Sequence, residues 1–112
     1  MKLSFVPAVV MALLLWGAAD ARAADEPGFT LTIQNHQWQP AELEVPANVK
    51  VHLTIKNLDP TAEEFDSDDL HREKVVTGGH EVVVVIGPLK PGTYRFQGEY
   101  HPATAQGHII AK

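Results

Sequence analysis

The stretch that decides the fold is Tyr94–Ile110, with the sequence YRFQGEYHPATAQGHII. In its first half Tyr94, Phe96 and Gly98 alternate with polar residues, so that one face is apolar and the other polar. A short loop that contains Pro102 follows, and alternation then resumes toward the end of the chain. This pattern predicts a strand, a tight loop and a final strand.

The chain before this stretch shows the same strand-sized periodicity. Phe29–Gln34 and Val49–Lys56 alternate between apolar and polar residues, and His80–Ile86 is a valine-rich run that predicts a strand buried on nearly both faces. Turn signals such as Gly87–Gly92 separate these segments. Apart from one or two helical turns around residues 68–72, we predict an all-β protein, an antiparallel Greek-key β-sandwich of about seven strands.

The N-terminal segment has the pattern of an export signal. Lys2 precedes the apolar run Leu3–Leu15, and Ala21–Ala23 fits the small-x-small rule for cleavage. We therefore expect a signal peptide at residues 1–23, a single domain at residues 24–112 and a periplasmic location. No cysteine follows the apolar run, so we expect no lipid attachment and no direct membrane anchor.

The net charge, the lack of cysteine and the lack of enzyme motifs exclude several classes of function. The formal net charge is −5 and no basic cluster is present, which argues against nucleic acid as a partner. The chain has no cysteine, so a hydrophobic core must hold the fold and the thiolate of a blue-copper site is missing. No motif of a nucleophilic hydrolase, phosphate-binding loop or zinc protease occurs, and we therefore lean toward a protein that is not an enzyme.

Chemistry-bearing residues gather at the end of the strand first described. Glu99 and His101 stand two residues apart, so in an extended chain both side chains point the same way. Gly98 beside them would allow another part of the chain to approach closely. A carboxylate and an imidazole that converge in this way predict a metal site.

A second group of acids lies between Glu63 and Glu73, where six carboxylates occur. Glu64 and Asp66 flank Phe65, so a strand that buries Phe65 directs both acids to its opposite face. Like charges this close repel, and a bound cation would relieve the repulsion.

Two other interpretations of the acidic segment remain open. It is either a solvated surface loop, or a metal-free network in which Arg72 and Lys74 pair with the acids. His36, His71 and Glu73 are weaker candidate ligands. His36 lies beside Trp38 where the first strand is interrupted, and His71 and Glu73 lie within the acidic segment.

Four segments of the chain, in this order, resemble the cupredoxin-like periplasmic proteins associated with bacterial iron-uptake permeases. They are Glu64–Ser67, Arg72–Lys74, Gly87–Gly92 and the ending formed by Gly98–His101 with Thr104–Gly107. In a copper-binding cupredoxin the corresponding last loop carries Cys, His and usually Met. Here Gly98 falls at the Cys position, His101 at the His position, and Thr104 or Ala105 at the Met position.

The resemblance implies a Greek-key cupredoxin-like fold and a site at which Glu64 and Asp66 meet Glu99 and His101. It implies iron or copper as the bound ion and a role in high-affinity iron uptake, as a metal carrier or an accessory redox component. The expected partners are an inner-membrane iron permease and a companion periplasmic iron-binding protein. Two alternatives stay open: a ferroxidase that oxidises Fe(II) before transport, and a metal-free acidic module that docks a basic partner.

Overall fold

The computed structural model describes residues 26–112, and the signal peptide predicted at residues 1–23 lies outside these residues. The described part consists of strands and turns, and no helix long and apolar enough to cross a membrane occurs in it. The nine strands are β1 (Gly28–Gln34), β2 (Gln37–Gln39), β3 (Glu42–Val45), β4 (Val51–Asn57), β5 (Glu63–Ser67), β6 (Arg72–Val76), β7 (Glu81–Ile86), β8 (Gly92–Gly98) and β9 (Gln106–Ala111).

The strands form two sheets, which confirms the predicted all-β sandwich. One sheet has the order β2-β1-β4-β7 and the other has the order β3-β9-β8-β5-β6. The structure differs from the predicted antiparallel sandwich of about seven strands in two details. The strands number nine, and β1 pairs with β4, and β3 with β9, in parallel. Each parallel pair joins two strands that are distant in the sequence. The local alternation of side chains does not reveal which distant strands pair or in which direction.

The core lies between the sheets and follows the predicted alternation. Leu31, Ile33, Leu53 and Ile55 project inward from the four-stranded sheet and are fully buried. From the five-stranded sheet Phe65 joins an aromatic cluster with Phe96 and Trp38, in which ring centroids lie 5.2–5.9 Å apart. Burying each such side chain contributes about 1.5–3 kcal/mol, so these residues hold the sheets together without a disulfide.

Strand β5 shows how the pleat separates two sets of acids. Phe65 faces inward as predicted, and Glu64 and Asp66 face outward. The same two-residue period turns Glu63 and Ser67 inward, where both are buried. Glu63 is therefore a carboxylate inside the sandwich, directly behind the outward acids.

Two local expectations are wrong. The segment 68–71 is a tight turn between β5 and β6, in which His71 has a positive φ of 56°, and it contains no helical turn. The valine-rich strand β7 is buried on one face only, because Val83 and Val85 are exposed at 56% and 37%. Strand β7 is at the edge of its sheet, and the Nε of Arg72 donates a hydrogen bond of 3.0 Å to the carbonyl oxygen of Val85.

Candidate metal centre

Three carboxylates converge on the outer face of the five-stranded sheet. Glu64 lies on β5, Glu73 on the neighbouring strand β6, and Glu99 directly follows β8 on the other side of β5. One carboxylate oxygen from each lies within 4.8 Å of the other two. The backbone N–H of Glu99 donates a 2.9 Å hydrogen bond to the carbonyl oxygen of Glu64, which extends the pairing of β8 with β5 as far as the cluster. We call Glu64, Glu73 and Glu99 the outer carboxylate cluster.

Electrostatics within the outer carboxylate cluster disfavour full ionisation. A side-chain hydrogen bond with Glu99 raises the pKa of Glu64 to about 7, and burial and the charges of Glu99, Glu73 and Asp66 act in the same direction. A hydrogen bond between two carboxyl groups requires a proton on one of them. A cation placed between the oxygens would remove the need for that proton.

Asp66 adjoins the cluster but belongs to a separate row of hydrogen bonds. Its partner across the strands is Gln97, whose Nε2 donates to Asp66 Oδ2 over 3.3 Å. Gln106 Nε2 in turn donates to Gln97 Oε1 over 3.2 Å. Asp66 therefore lies beside the cluster and adds negative charge to it.

Basic residues do not neutralise these acids in the part of the chain that the structure describes. The ion pairs there join Glu26 to His52, Glu63 to His101 and Glu44 to Lys112. The guanidinium of Arg72 instead donates to the carbonyl oxygens of His71 and Val85. The metal-free network of Arg72 and Lys74 with the acids is therefore not formed.

His101 is on the inner side of the sheet and does not join the outer carboxylate cluster. Its Nδ1 lies 2.6 Å from Oε2 of the buried Glu63. The second oxygen of that carboxylate, Oε1, accepts hydrogen bonds from the backbone N–H groups of Tyr100 at 2.9 Å and Glu64 at 3.0 Å. We call Glu63 and His101 the inner pair. Its carboxylate contacts three groups, two of them on the loop that follows β8.

His36 covers the inner pair from the side of the other sheet. Its ring stacks on that of His101 with the centroids 3.5 Å apart and 11° between the planes. The turn that carries His36 is held by Asp59, whose two carboxylate oxygens accept the N–H groups of Asn35 at 2.7 Å and His36 at 3.0 Å. Burial raises the pKa of Asp59, but these two hydrogen bonds, together with the charges of His36 and His101, lower it below its ordinary value.

The predicted ligands thus fall into two groups. Glu64, Glu99 and the weaker candidate Glu73 meet on the outer face with Asp66 beside them, whereas His101 and His36 lie together on the inner side. His71 is exposed in the turn between β5 and β6. The extended geometry expected for Glu99 and His101 does not occur, because β8 ends at Gly98 and the chain turns there.

Glu63 is the residue that the sequence analysis missed. The two-residue period that places Phe65 inward also places Glu63 inward, and this was the available signal. Carboxylates are almost never buried without a partner, and the partners here lie 37 and 38 residues further along the chain.

The two sheets, their strand order and the loop between β8 and β9 are those of a cupredoxin-like domain. The family model described as a cupredoxin-like domain matches residues 7–111, and the chain belongs to this family. The predicted cupredoxin-like fold is confirmed.

Among individual relatives, the chain is 48% identical over 80 residues to an uncharacterized protein of Rickettsia prowazekii (strain Madrid E). The match covers 71% of this chain and 64% of that protein, so the chain spans less than two thirds of its relative.

Solved structures with a similar fold are copper proteins with low sequence identity. Auracyanin A, a blue copper protein from Chloroflexus aurantiacus, has a TM-score of 0.67 and 15% identity, with 77% of this chain and 99% of that chain covered. The purple cupredoxin from Nitrosopumilus maritimus has a TM-score of 0.59 and 19% identity, with 74% and 98% covered. At these identities the likeness extends to the fold alone.

The residues present do not fit the copper centre of a cupredoxin, which consists of two His, one Cys and a weak axial Met. A Cβ built on Gly98, at the Cys position, would lie 2.6 Å from Cδ of Glu63 and 2.8 Å from the Cβ of Ala105. Glu63 and Ala105 are both buried, and together they fill the space beside Gly98 and His101. The carboxylate of Glu63 therefore lies against both Gly98 and His101.

Proposed function

We propose that this protein binds an iron ion at the outer carboxylate cluster and carries it during iron uptake. The observation that supports this most is the convergence of Glu64, Glu73 and Glu99, with one oxygen of each within 4.8 Å of the others. Three acidic oxygens on adjacent strands, without a basic partner among the described residues, form a site whose chemistry favours a cation.

The donor set favours a hard cation over Cu(I). All three side chains offer oxygen, whereas Cu(I) prefers thiolate and thioether sulfur. Glu73 and Glu99 are exposed, so the site is open to solvent and to a partner, as a carrier that receives and releases its cargo requires.

The physiological role rests on the resemblance of four segments to periplasmic proteins of iron-permease systems. In this proposal the protein works in the periplasm, receives iron there, and passes it toward an inner-membrane iron permease together with a companion periplasmic iron-binding protein. The acidic outer face would attract the cation before it binds.

Titration calorimetry of the protein with Fe(II), without oxygen and with excess Mg(II) present, tests the proposal. We expect one iron per chain, and we expect Glu64→Gln or Glu99→Gln to weaken binding by about 10-fold or more, because each removes a charged ligand. Glu42→Gln is the matched control, since Glu42 lies on the edge strand β3 at the opposite side of the same sheet. Millimolar-only binding, or an equal loss in Glu42→Gln, would contradict the proposal.

A further inference from the structure

The buried carboxylate of Glu63 joins the two segments that carry Glu64 and Glu99. Its Oε1 accepts the N–H of Glu64, the first residue of the outer carboxylate cluster, over 3.0 Å. The same oxygen accepts the N–H of Tyr100, the residue after Glu99, over 2.9 Å. The Oε1 atom of Glu63 thus holds the backbone at Glu64 and the backbone next to Glu99, two segments that lie on either side of the β5–β8 pairing.

A contact of the other oxygen, Oε2, with His101 holds the carboxylate of Glu63 in place. Oε2 lies 2.6 Å from His101 Nδ1, and His101 is held by the stacked ring of His36. The loop is further closed by the hydrogen bond from Gly98 N to the carbonyl oxygen of Ala105 at 2.7 Å. Glu63 therefore has a single defined position, with 2% of its surface exposed.

We infer that Glu63 is the positioning residue of the outer carboxylate cluster, because its carboxylate links β5 to the loop after β8. The outer face of the same two segments is left to bind the cation. This inference rests on the proposed function in so far as it concerns iron affinity.

The positioning role has a consequence that needs no metal. Tyr100 is an exposed residue in a turn, and 49% of its surface is accessible, so its amide would ordinarily exchange rapidly with solvent. Because that N–H donates to a buried carboxylate, we expect it to exchange much more slowly than the amide of Ala103 in the same loop. Equal exchange at Tyr100 and Ala103, measured by NMR on the unmodified protein, would overturn the inference.

Glu63→Leu tests the same link by substitution. Leucine has a similar size but no hydrogen-bond acceptor, so it can serve neither His101 nor the two N–H groups. We expect the amide of Tyr100 to lose its protection and Fe(II) affinity to fall about 10-fold, as is typical when a residue behind a metal ligand is changed. Ser67→Ala is the matched control, because Ser67 is buried at the other end of β5 and bonds to Arg95 and Leu70.

The outcomes separate the two proposals. If the unmodified protein binds no iron but Glu63→Leu releases the Tyr100 amide, the proposed function fails and the link stands. If Glu63→Leu leaves both the amide and the affinity as they are in Ser67→Ala, the inference fails. If His101→Gln abolishes iron binding while Glu64→Gln does not, the metal binds at the inner pair, and the inference is overturned.

Discussion

Glu63 occupies the space that a side chain on Gly98 would need. The Cδ of Glu63 lies 2.6 Å from the position of a Cβ on Gly98, although the two residues come from neighbouring strands, β5 and β8. The buried carboxylate therefore has room beside β8 because residue 98 is a glycine. A thiolate, or any other side chain at position 98, is incompatible with Glu63 in its present place.

The first prediction follows from this contact. Gly98→Ala should lower the free energy of unfolding by about 1–3 kcal/mol, because the added methyl group meets buried atoms on two sides. Urea denaturation measures the loss. Gly92→Ala is the matched control in the same strand, where the nearest atom to an added Cβ is 3.8 Å away. Similar stabilities of the two variants would show that the space beside Gly98 adapts freely.

The second prediction concerns the copper centre that the chain lacks. Gly98→Cys alone should bind no Cu(II) at this place, because Glu63 remains in the way. Glu63→His combined with Gly98→Cys removes the obstruction and offers two His and one Cys, the trigonal set of a blue-copper site. We expect a thiolate-to-Cu(II) absorption band in the double variant only. A band of equal strength in Gly98→Cys would contradict this assignment of the positions.

The third prediction is the pH dependence of stability without metal. Glu64 has a pKa of about 7 in the folded protein and an ordinary value of 4.5, so the folded state binds more protons between these two values. Stability should therefore fall as the pH rises from 4.5 to 7, through the contribution of this group. Thermal unfolding at several pH values measures it, and Glu64→Gln should lack this part of the decline. A Glu64→Gln variant with the same pH profile as the unmodified protein would argue against the prediction.

The fourth prediction is the pH dependence of cation binding. Glu64 must lose its proton to bind a metal, so Fe(II) affinity should rise by up to about 10-fold per pH unit below pH 7 and level off above it. Calorimetry at pH 6 and pH 7.5 compares the two regimes, and repeating the titration in buffers of different ionisation enthalpy counts the protons released. Affinity that is equal at both pH values, with no proton released, would exclude Glu64 as a ligand.

The sequence predicted the sandwich because alternation of side chains is a local property. The strand that buries Phe65 and exposes Glu64 and Asp66 is found as expected, since the pleat fixes the direction of each side chain. The exposure of Val83 and Val85 was not predictable in this way. It follows from the two-layer architecture, in which no further layer of the described residues covers the outer face of this sheet, and the number of layers depends on contacts between distant segments.

The candidate site was predicted only in part for the same reason. Glu64 and Glu99 could be placed near each other from the resemblance, whereas the direction of His101 depends on the turn after Gly98. The ring of His101 stacks on His36, which belongs to the other sheet, and no local pattern contains that contact. The burial of Glu63 likewise requires partners from the far end of the chain.

The hydrogen bond from Arg72 to Val85 bears on how the molecule avoids self-association. Strand β7 contains four consecutive valines at a sheet edge, and such an edge is a template for pairing with a strand of another molecule. Arg72, at the start of the edge strand β6 of the opposite sheet, occupies one of the carbonyl groups that an incoming strand would need. A charged side chain therefore protects this edge of the sandwich against aggregation.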